Sequence, residues 1–139
     1  MMDWLNKRLA RTEFMPFAPI ILEEAAPKYF ENFAGLAYPS KFMTICTRCT
    51  PLCKEKAPGV VHIDGTARPQ TVSMSVDPYL HDILSRYDEK TGRPIAINTS
   101  FNKHEEPIVG SPADAVSELK RGAVDVLYLE SYEVRLEGR

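Results

Sequence analysis

The strongest constraint on the fold is a pair of helix-start signals with a short apolar strand between them. In each signal a capping side chain precedes a proline: Asp77 precedes Pro78, and Ser111 precedes Pro112. Asp and Ser accept a backbone hydrogen bond at the N-cap, and proline suits the first helical position because an N–H there would have no partner. The segment PIAIN, residues 94–98, is typical of a buried central strand. The chain is therefore predicted to alternate helices and strands.

Local signals also predict how far the helices extend. The first is predicted over residues 78–88 and is closed by Gly92; its expected buried stripe is Leu80, Ile83, Leu84 and Tyr87. The second is predicted to begin at Pro112, with Asp114 in its first turn, and to stop at Gly122; its expected buried side chains are Ala115, Val116 and Leu119. A shorter helix is predicted over residues 23–33, where Pro27 indicates a late start or a bend. Its expected core side chains are Ala26, Phe30 and Phe33.

Five segments between and around these helices are predicted as strands: residues 42–47, 60–63, 68–74, 95–99 and 124–130. Alternating helices and strands predict an α/β (α+β) fold with a twisted mixed sheet and flanking helices. At 139 residues the chain is long enough to bury a core of its own. We therefore expect a single domain over residues 1–139.

Charge and hydropathy narrow the function classes. A net charge of -2 gives no broad electrostatic attraction for nucleic acid or an anionic membrane, although Lys7, Arg8 and Arg11 form a local basic cluster. No apolar run is long enough to cross a bilayer, and the N-terminus lacks the basic region and apolar core of a signal peptide. We therefore expect a cytoplasmic protein without a membrane partner, and a nucleic-acid partner is disfavoured.

The cysteines are clustered as Cys46, Cys49 and Cys53. This spacing is within reach of a metal site, with His62 as a conceivable fourth ligand. Zinc ribbons normally supply two separated pairs, however, so reduced thiols are the favoured interpretation and no metal ligand is assigned. The odd number of cysteines also argues against a closed disulfide framework.

The segment VVHIDGTARPQTV, residues 60–72, concentrates polar side chains. If the segment is extended, alternation places five of them on one face: His62, Asp64, Thr66, Arg68 and Gln70. If Asp64 and Gly65 form a tight turn instead, that face is interrupted at Asp64. Arg68 favours a ligand site because its planar guanidinium suits a carboxylate or phosphate, and the proline after it confines the strand to an edge or bulge.

A second polar segment, NTSFN at residues 98–102, follows the predicted strand 95–99. Ligands of open α/β folds bind where strands leave the sheet, and small donors there suit an anion or a carbonyl. An Asx-type turn without a ligand fits the same residues equally well.

Five motifs occur along the chain in a fixed order: FMPFAPIIL (14–22), HIDGTARPQTV (62–72), TGRPIAINTSFN (91–102), EPIVGSPADAV (106–116) and GAVDVLYL (122–129). Together they resemble the C-terminal domain of the O-carbamoyltransferases of the nodulation, cephalosporin and tobramycin type. The resemblance spans nearly the whole chain, and the order of the motifs makes it more specific than any one of them.

The resemblance implies a YrdC-like fold and a division of labour between two domains. The C-terminal domain of that family helps to convert carbamoyl phosphate and ATP into a carbamoyl-adenylate. An N-terminal ATPase-like domain with a metal site transfers the carbamoyl group to a hydroxyl of the acceptor. This chain resembles only the C-terminal domain, so we expect ATP as its cofactor, Mg²⁺ as a candidate ion, and the metal of the transfer step in the N-terminal domain. That domain, of the same or a partner chain, is the expected protein partner.

Carried onto this sequence, the resemblance implies catalytic roles for Arg68, His62 and Asp64. The implied substrate-binding residues are Arg11, Thr66, Gln70, Asn98, Ser100, Asn102 and Glu106. Arg11 and Arg68 would bind phosphate through paired charged hydrogen bonds, while Asn98 and Ser100 would orient the carbamoyl amide. Asp64 is expected to orient Arg68 or His62 rather than to act as a base.

Several alternatives remain open at this point. Glu106 could hold Mg²⁺ through water or cap the turn that follows it. Met15, Glu105 and Gly110 stand where the family often has Arg, Gly and Cys. The chain could be a catalytic portion of a carbamoyltransferase that is incomplete for transfer on its own. It could instead be a non-catalytic binding module of the same fold that docks on a separate catalytic domain.

Overall fold

The computed structural model describes residues 2–9, 16–102 and 105–137 of the chain. The chain forms a large unit, Pro16–Thr99, and a small unit that combines Met1–Met15 with Ser100–Arg139. In chain order the elements are α1 (Met2–Arg8), β1 (Ala18–Leu22), α2 (Ala26–Tyr29), α3 (Ala37–Ser40), β2 (Thr47–Arg48), α4 (Pro51–Lys56), β3 (Thr66–Ala67), β4 (Gln70–Val72), α5 (Pro78–Thr91), β5 (Ile95–Asn98), α6 (Pro112–Lys120), β6 (Leu127–Leu129) and β7 (Tyr132–Val134). Short 3-10 helices cover Phe33–Leu36 and Pro58–Val60. Within these three ranges, no helix is both long and apolar enough to cross a membrane.

The large unit is built on a three-stranded sheet with the order β4-β1-β5. β1 runs parallel to β4 and antiparallel to β5, so the sheet is mixed. Every residue of β1 is buried, as expected for a central strand covered on both faces. The predicted α/β class with a mixed sheet and flanking helices is therefore confirmed. The YrdC-like relation and the assignment of one domain to residues 1–139 stay predictions.

The central position of β1 corrects the prediction that residues 94–98 form the central strand. β1 contains Pro19, which cannot donate a ladder hydrogen bond, and proline normally argues against a central strand. The Leu22 N–H donates to the Pro94 carbonyl at 3.1 Å. Every second N–H along β1 therefore points toward β5. Pro19 lies three residues before Leu22, so its backbone nitrogen points toward β4 instead. Pairing with β4 begins only at Ile20. The missing N–H of Pro19 therefore precedes that ladder and interrupts neither neighbour.

Two of the predicted strands are wrong. In residues 42–47 the chain turns at Met43, whose φ of 53° is incompatible with an extended strand, and only Thr47 joins a ladder, between β2 and β3. Residues 60–63 contain no strand, because a 3-10 helix ends at Val60 and a turn follows. The other three predicted segments contain β4, β5 and β6, each shorter than predicted.

The long helix α5 begins and ends where the sequence predicts a cap at each end. The Asp77 side chain accepts a hydrogen bond from Leu80 N at 3.0 Å, and Gly92 closes the helix with a φ of 66°. The predicted buried stripe is too wide, however. Leu84 is buried, whereas Ile83 and Tyr87 are 44% and 40% exposed. The sheet beneath α5 is only three strands wide, so a narrow stripe is enough to cover it.

The predicted helix over residues 23–33 is much shorter than expected. α2 spans only Ala26–Tyr29, with Pro27 in its first turn, which confirms the late start. A separate 3-10 helix begins at Phe33 after Asn32, whose φ of 52° breaks the helical path. The expected core side chains Ala26, Phe30 and Phe33 are all buried.

The small unit contains α1, α6 and the hairpin of β6 and β7. Ser111 caps α6: its Oγ accepts from Asp114 N at 3.2 Å and donates to Asp114 Oδ2 at 2.7 Å. Gly122 follows the helix with a φ of 79°, as its predicted stop requires. Ala115 and Leu119 pack with Leu127 in the core of this unit, and Val116 is partly buried against them.

Candidate functional site

Residues 62–66 form a tight turn at the start of the first polar motif. The Gly65 N–H donates to the His62 carbonyl at 2.9 Å, and the His62 N–H donates to the Thr66 carbonyl at 2.7 Å. Gly65 has a φ of 80°, a conformation that suits glycine. The interpretation of this segment as one continuous extended face is therefore wrong, and the alternative of a turn at Asp64 and Gly65 is correct. Asp and Gly favour such turns because they tolerate the required backbone conformation.

Side chains of the same turn form a hydrogen-bonded chain. Asp64 Oδ1 accepts from Thr66 N at 3.0 Å and from Thr66 Oγ1 at 2.7 Å. Thr66 Oγ1 lies 3.0 Å from His62 Nδ1. The side-chain and backbone hydrogen bonds from Thr66 lower the pKa of Asp64. Asp64 is thus a fixed acceptor that holds Thr66 and, through it, His62.

Arg68 lies between β3 and β4 and is exposed. Its neighbours Ala67 and Pro69 are buried, so the backbone on either side of the guanidinium is anchored in the unit. Within the described part of the chain, Arg68 makes no hydrogen bond or ion pair, so Asp64 does not orient it. The donors of Arg68 can therefore bind an anionic ligand without breaking an internal contact.

Gln70 and Asn98 form an amide pair across β1. Asn98 Nδ2 donates to Gln70 Oε1 at 2.5 Å and also lies 3.9 Å from Met43 Sδ. Gln70 pairs with Ile20 and Asn98 pairs with Ala18, so both side chains project from one face of the sheet. The pair is partly buried, which holds the remaining amide groups in fixed directions.

Gln70 also lines a pocket of the large unit with a volume of about 190 Å³. Lys41 and Asp77 contribute charge to the wall, and Phe42, Val76 and Leu80 contribute apolar surface. Lys41 Nζ lies 3.4 Å from Glu23 Oε1. Neither Arg68 nor Asn98 is among the residues that line this pocket, and their assignment to a common substrate site stays a prediction. Lys41 has no motif signal in the sequence, which is why it was not predicted.

The remaining predicted site residues belong to the small unit. Asn102 Nδ2 donates to the Glu106 carbonyl at 2.7 Å, and both residues line a pocket of about 340 Å³. The Glu106 carboxylate binds Arg121 through two hydrogen bonds, of 2.5 and 2.7 Å. Hydrogen bonding to Glu106 raises the pKa of Arg121. Ser100 is exposed, and Arg11 and Met15 lie outside the described residues.

The ion pair of Glu106 bears on its two predicted roles. The Glu106 carboxylate accepts hydrogen bonds from Arg121, the cap of α6 is Ser111, and a role of Glu106 in capping the turn that follows it stays a prediction. A role in holding Mg²⁺ stays a prediction, and the ion would compete with Arg121 for the same oxygens. Arg121 was missed because it lies 15 residues from Glu106 and has no motif of its own.

A second acidic side chain shares Arg121. Glu118 Oε1 accepts from Arg121 Nη1 at 2.5 Å. The Glu118 side chain is only 6% exposed, and its Oε2 has no hydrogen-bond partner among the residues that the structure describes. Arg121 therefore neutralises two carboxylates in one wall of the small-unit pocket.

The three cysteines are free, with Cys46 exposed and Cys49 and Cys53 buried. The hydrogen bond between Cys53 and Cys49 and the burial of Cys53 raise the pKa of Cys53. The two buried thiols pack in the main core of the large unit. Across the described ranges, no three His, Cys, Asp or Glu side chains are grouped as metal ligands would be.

The chain is similar to known proteins over nearly its whole length. A family model described as carbamoyltransferase C-terminus matches residues 1–135. An uncharacterized protein of Methanocaldococcus jannaschii is 38% identical over 134 residues, which cover 96% of this chain and 21% of that protein. Nodulation protein NolNO of Sinorhizobium fredii is 37% identical over 134 residues, covering 96% and 20%. Nodulation protein U of Rhizobium tropici is 38% identical over 125 residues, covering 90% and 20%. The chain thus spans about a fifth of the length of these curated relatives.

Proposed function

Since the chain belongs to the carbamoyltransferase C-terminus family, we propose that it binds carbamoyl phosphate and ATP and contributes to the formation of a carbamoyl-adenylate. Water first cleaves carbamoyl phosphate into carbamate and inorganic phosphate. A carbamate oxygen then attacks the α-phosphorus of ATP and releases pyrophosphate. The carbamoyl group finally passes to a hydroxyl acceptor, and AMP leaves.

The observation that carries this proposal is the combination of an arginine and fixed polar groups in the large unit. Arg68 has an anchored backbone, and none of its donors is bound by another of the described residues. A guanidinium binds phosphate oxygens in pairs, through charge-assisted hydrogen bonds. Catalysis of phosphoryl and carbamoyl chemistry at such a site would consist of positioning and charge stabilisation.

Amide and imidazole groups of the same unit support recognition of the carbamoyl end. Gln70 and Asn98 hold each other in place by a hydrogen bond of 2.5 Å. A carbamoyl group has both N–H donors and a carbonyl acceptor, and side-chain amides complement both. In this proposal Asn98 orients the carbamoyl group, and His62 and Thr66 complete its surroundings. Arg11, Ser100, Asn102 and Glu106 stay proposed substrate-binding residues.

Transfer to the acceptor is proposed to need more protein than this chain. The matched relatives are about five times longer than the segment they share with it. We propose that an N-terminal ATPase-like domain, of the same or a partner chain, carries the metal and completes the transfer. The isolated chain should accordingly carbamoylate no hydroxyl acceptor.

A docking role without substrate binding is the second candidate. The exposed apolar side chains of the large unit favour it: Tyr38 is 74% exposed, Phe42 59% and Val76 71%. Tyr38 and Phe42 stack edge to face with ring centroids 5.5 Å apart. Exposed aromatic groups of this kind are typical of protein interfaces. In that case the chain would bind the larger domain but neither carbamoyl phosphate nor ATP.

Calorimetric titration of carbamoyl phosphate into the chain separates the two candidates. Replacing Arg68 with lysine keeps the charge and removes the planar fork, so binding should weaken by roughly 1–3 kcal/mol, and alanine should weaken it further. Arg86→Ala is the matched control, because Arg86 is an exposed arginine of the same unit that pairs with Asp82 at 2.8 Å. Binding that is unchanged in both Arg68 variants would exclude Arg68 from the site. A wild-type chain that binds neither carbamoyl phosphate nor, in a second titration, ATP would favour the docking role.

A further inference from the structure

The hydrogen-bonded chain of the turn at residues 62–66 determines which nitrogen of His62 carries a proton. Asp64 has a lowered pKa, and an ionised carboxylate can only accept hydrogen bonds. The 2.7 Å contact between Thr66 Oγ1 and Asp64 Oδ1 therefore uses the single hydroxyl proton of Thr66.

The same hydroxyl is then an acceptor toward His62. Thr66 Oγ1 has no second proton to donate, so its 3.0 Å contact with His62 Nδ1 requires that Nδ1 bears the hydrogen. A neutral imidazole carries one N–H, so Nε2 keeps its lone pair. The backbone of the turn keeps all three side chains in register, because Gly65 N and His62 N both donate to carbonyls within it.

We infer that Thr66 is a positioning residue that holds neutral His62 as the Nδ1–H tautomer and presents Nε2 as a hydrogen-bond acceptor. The next step rests on the proposed function. The tautomer of His62 determines which end of carbamoyl phosphate its Nε2 contacts. Carbamoyl phosphate offers N–H donors at one end and only acceptor oxygens at the other. A lone pair on Nε2 attracts the amide N–H and repels the phosphate oxygens, so His62 contacts the carbamoyl end.

The tautomer can be measured directly by the nitrogen-15 chemical shifts of the imidazole rings. The chain has three histidines, so His62 can be assigned by comparison with a His62→Gln variant. At about pH 8.5, above the ordinary imidazole pKa, Nδ1 should give a protonated-type shift and Nε2 an unprotonated-type shift. Thr66→Val removes the acceptor and should move the population toward the Nε2–H form. Thr66→Ser keeps the hydroxyl and should restore the wild-type pattern.

The contact with the carbamoyl end can be measured by comparing carbamoyl phosphate with acetyl phosphate, in which a methyl group replaces the amino group. Wild-type protein and Thr66→Ser should prefer carbamoyl phosphate, and Thr66→Val should lower that preference by about two- to tenfold, the effect of one lost hydrogen bond, while the proposed contact of Asn98 remains. Thermal melts of each variant would show that the fold is retained.

The two measurements test different parts of the inference, and each part can be refuted without the other. An Nε2–H tautomer in the wild-type protein would overturn the role of Thr66, whatever the ligands do. Equal preference in wild type and Thr66→Val would overturn the carbamoyl contact. If the wild-type protein binds neither compound, the proposed function fails and the carbamoyl contact fails with it, while the tautomer still decides the role of Thr66.

Discussion

Replacing Leu84 with alanine is expected to lower the free energy of unfolding by about 3 kcal/mol. Leu84 is 3% exposed and is the only buried residue of α5. It packs with Ile20, Leu22 and Val72 of the sheet. Truncating a buried leucine costs about 2–5 kcal/mol, from lost transfer free energy and from the cavity that remains. A value in the lower half of that range is expected because Leu80 and Ala96, which border this cluster, are only partly buried and can shift toward the cavity.

The neighbouring residue provides a matched control. Ile83 belongs to the same helix but is 44% exposed, so Ile83→Ala should change the free energy of unfolding by less than about 1 kcal/mol. Urea unfolding followed by far-ultraviolet circular dichroism gives both values, and Leu84→Ala should also lower Tm by roughly 10 °C. If the two variants are equally destabilised, Leu84 is not what holds α5 on the sheet.

Two further predictions concern the polar turn and the thiols. Folding lowers the pKa of Asp64, so its contribution to stability is fully present above the ordinary value of 3.8 and is lost as the pH falls through the lowered value. Asp64→Asn should flatten the dependence of stability on pH below about pH 4 in acid titrations, and an unchanged slope would contradict the hydrogen bonds of Thr66. Iodoacetamide should alkylate the exposed thiol of Cys46 first, since Cys49 and Cys53 are buried. Mass spectrometry of the native protein should show one rapid addition, and three additions at equal rates would contradict the packing of the other two thiols.

The helix caps show what short-range sequence signals can predict. The Asp77 and Ser111 caps each depend on a hydrogen bond to a backbone N–H three residues away. Such contacts involve only neighbouring residues, so the residue types suffice to predict them. The same holds for the stops at Gly92 and Gly122, whose positive φ values favour glycine.

The strands were harder to predict because pairing joins distant parts of the chain. β1 contains a proline and has no alternating pattern, yet it is central, because β4 and β5 both pair with it. Which side of β1 the proline affects depends on the register with each neighbour. That register is not visible in residues 18–22 alone.

In the candidate site, too, the sequence predicts individual residues but not their distant partners. The sequence motifs predict Gln70, Asn98 and Glu106 as site residues, but they do not predict the hydrogen-bond partners of these side chains. The Gln70–Asn98 bond spans 28 residues, and the Glu106–Arg121 pair spans 15. The structure also showed that Asp64 binds Thr66 and not Arg68, because the turn brings the backbone and hydroxyl of Thr66 onto the carboxylate.

The sequence by itself determined the two capped helices, the α/β class and the resemblance to a carbamoyltransferase domain, because these follow from local contacts and from motif order. Only the tertiary structure decided that β1 is central, that residues 62–66 turn back on themselves, and that Arg121 neutralises Glu106. The physical reason is the range of the interactions. A cap needs one turn of chain, whereas a ladder, an amide pair or an ion pair forms only after folding has brought distant residues within hydrogen-bonding distance.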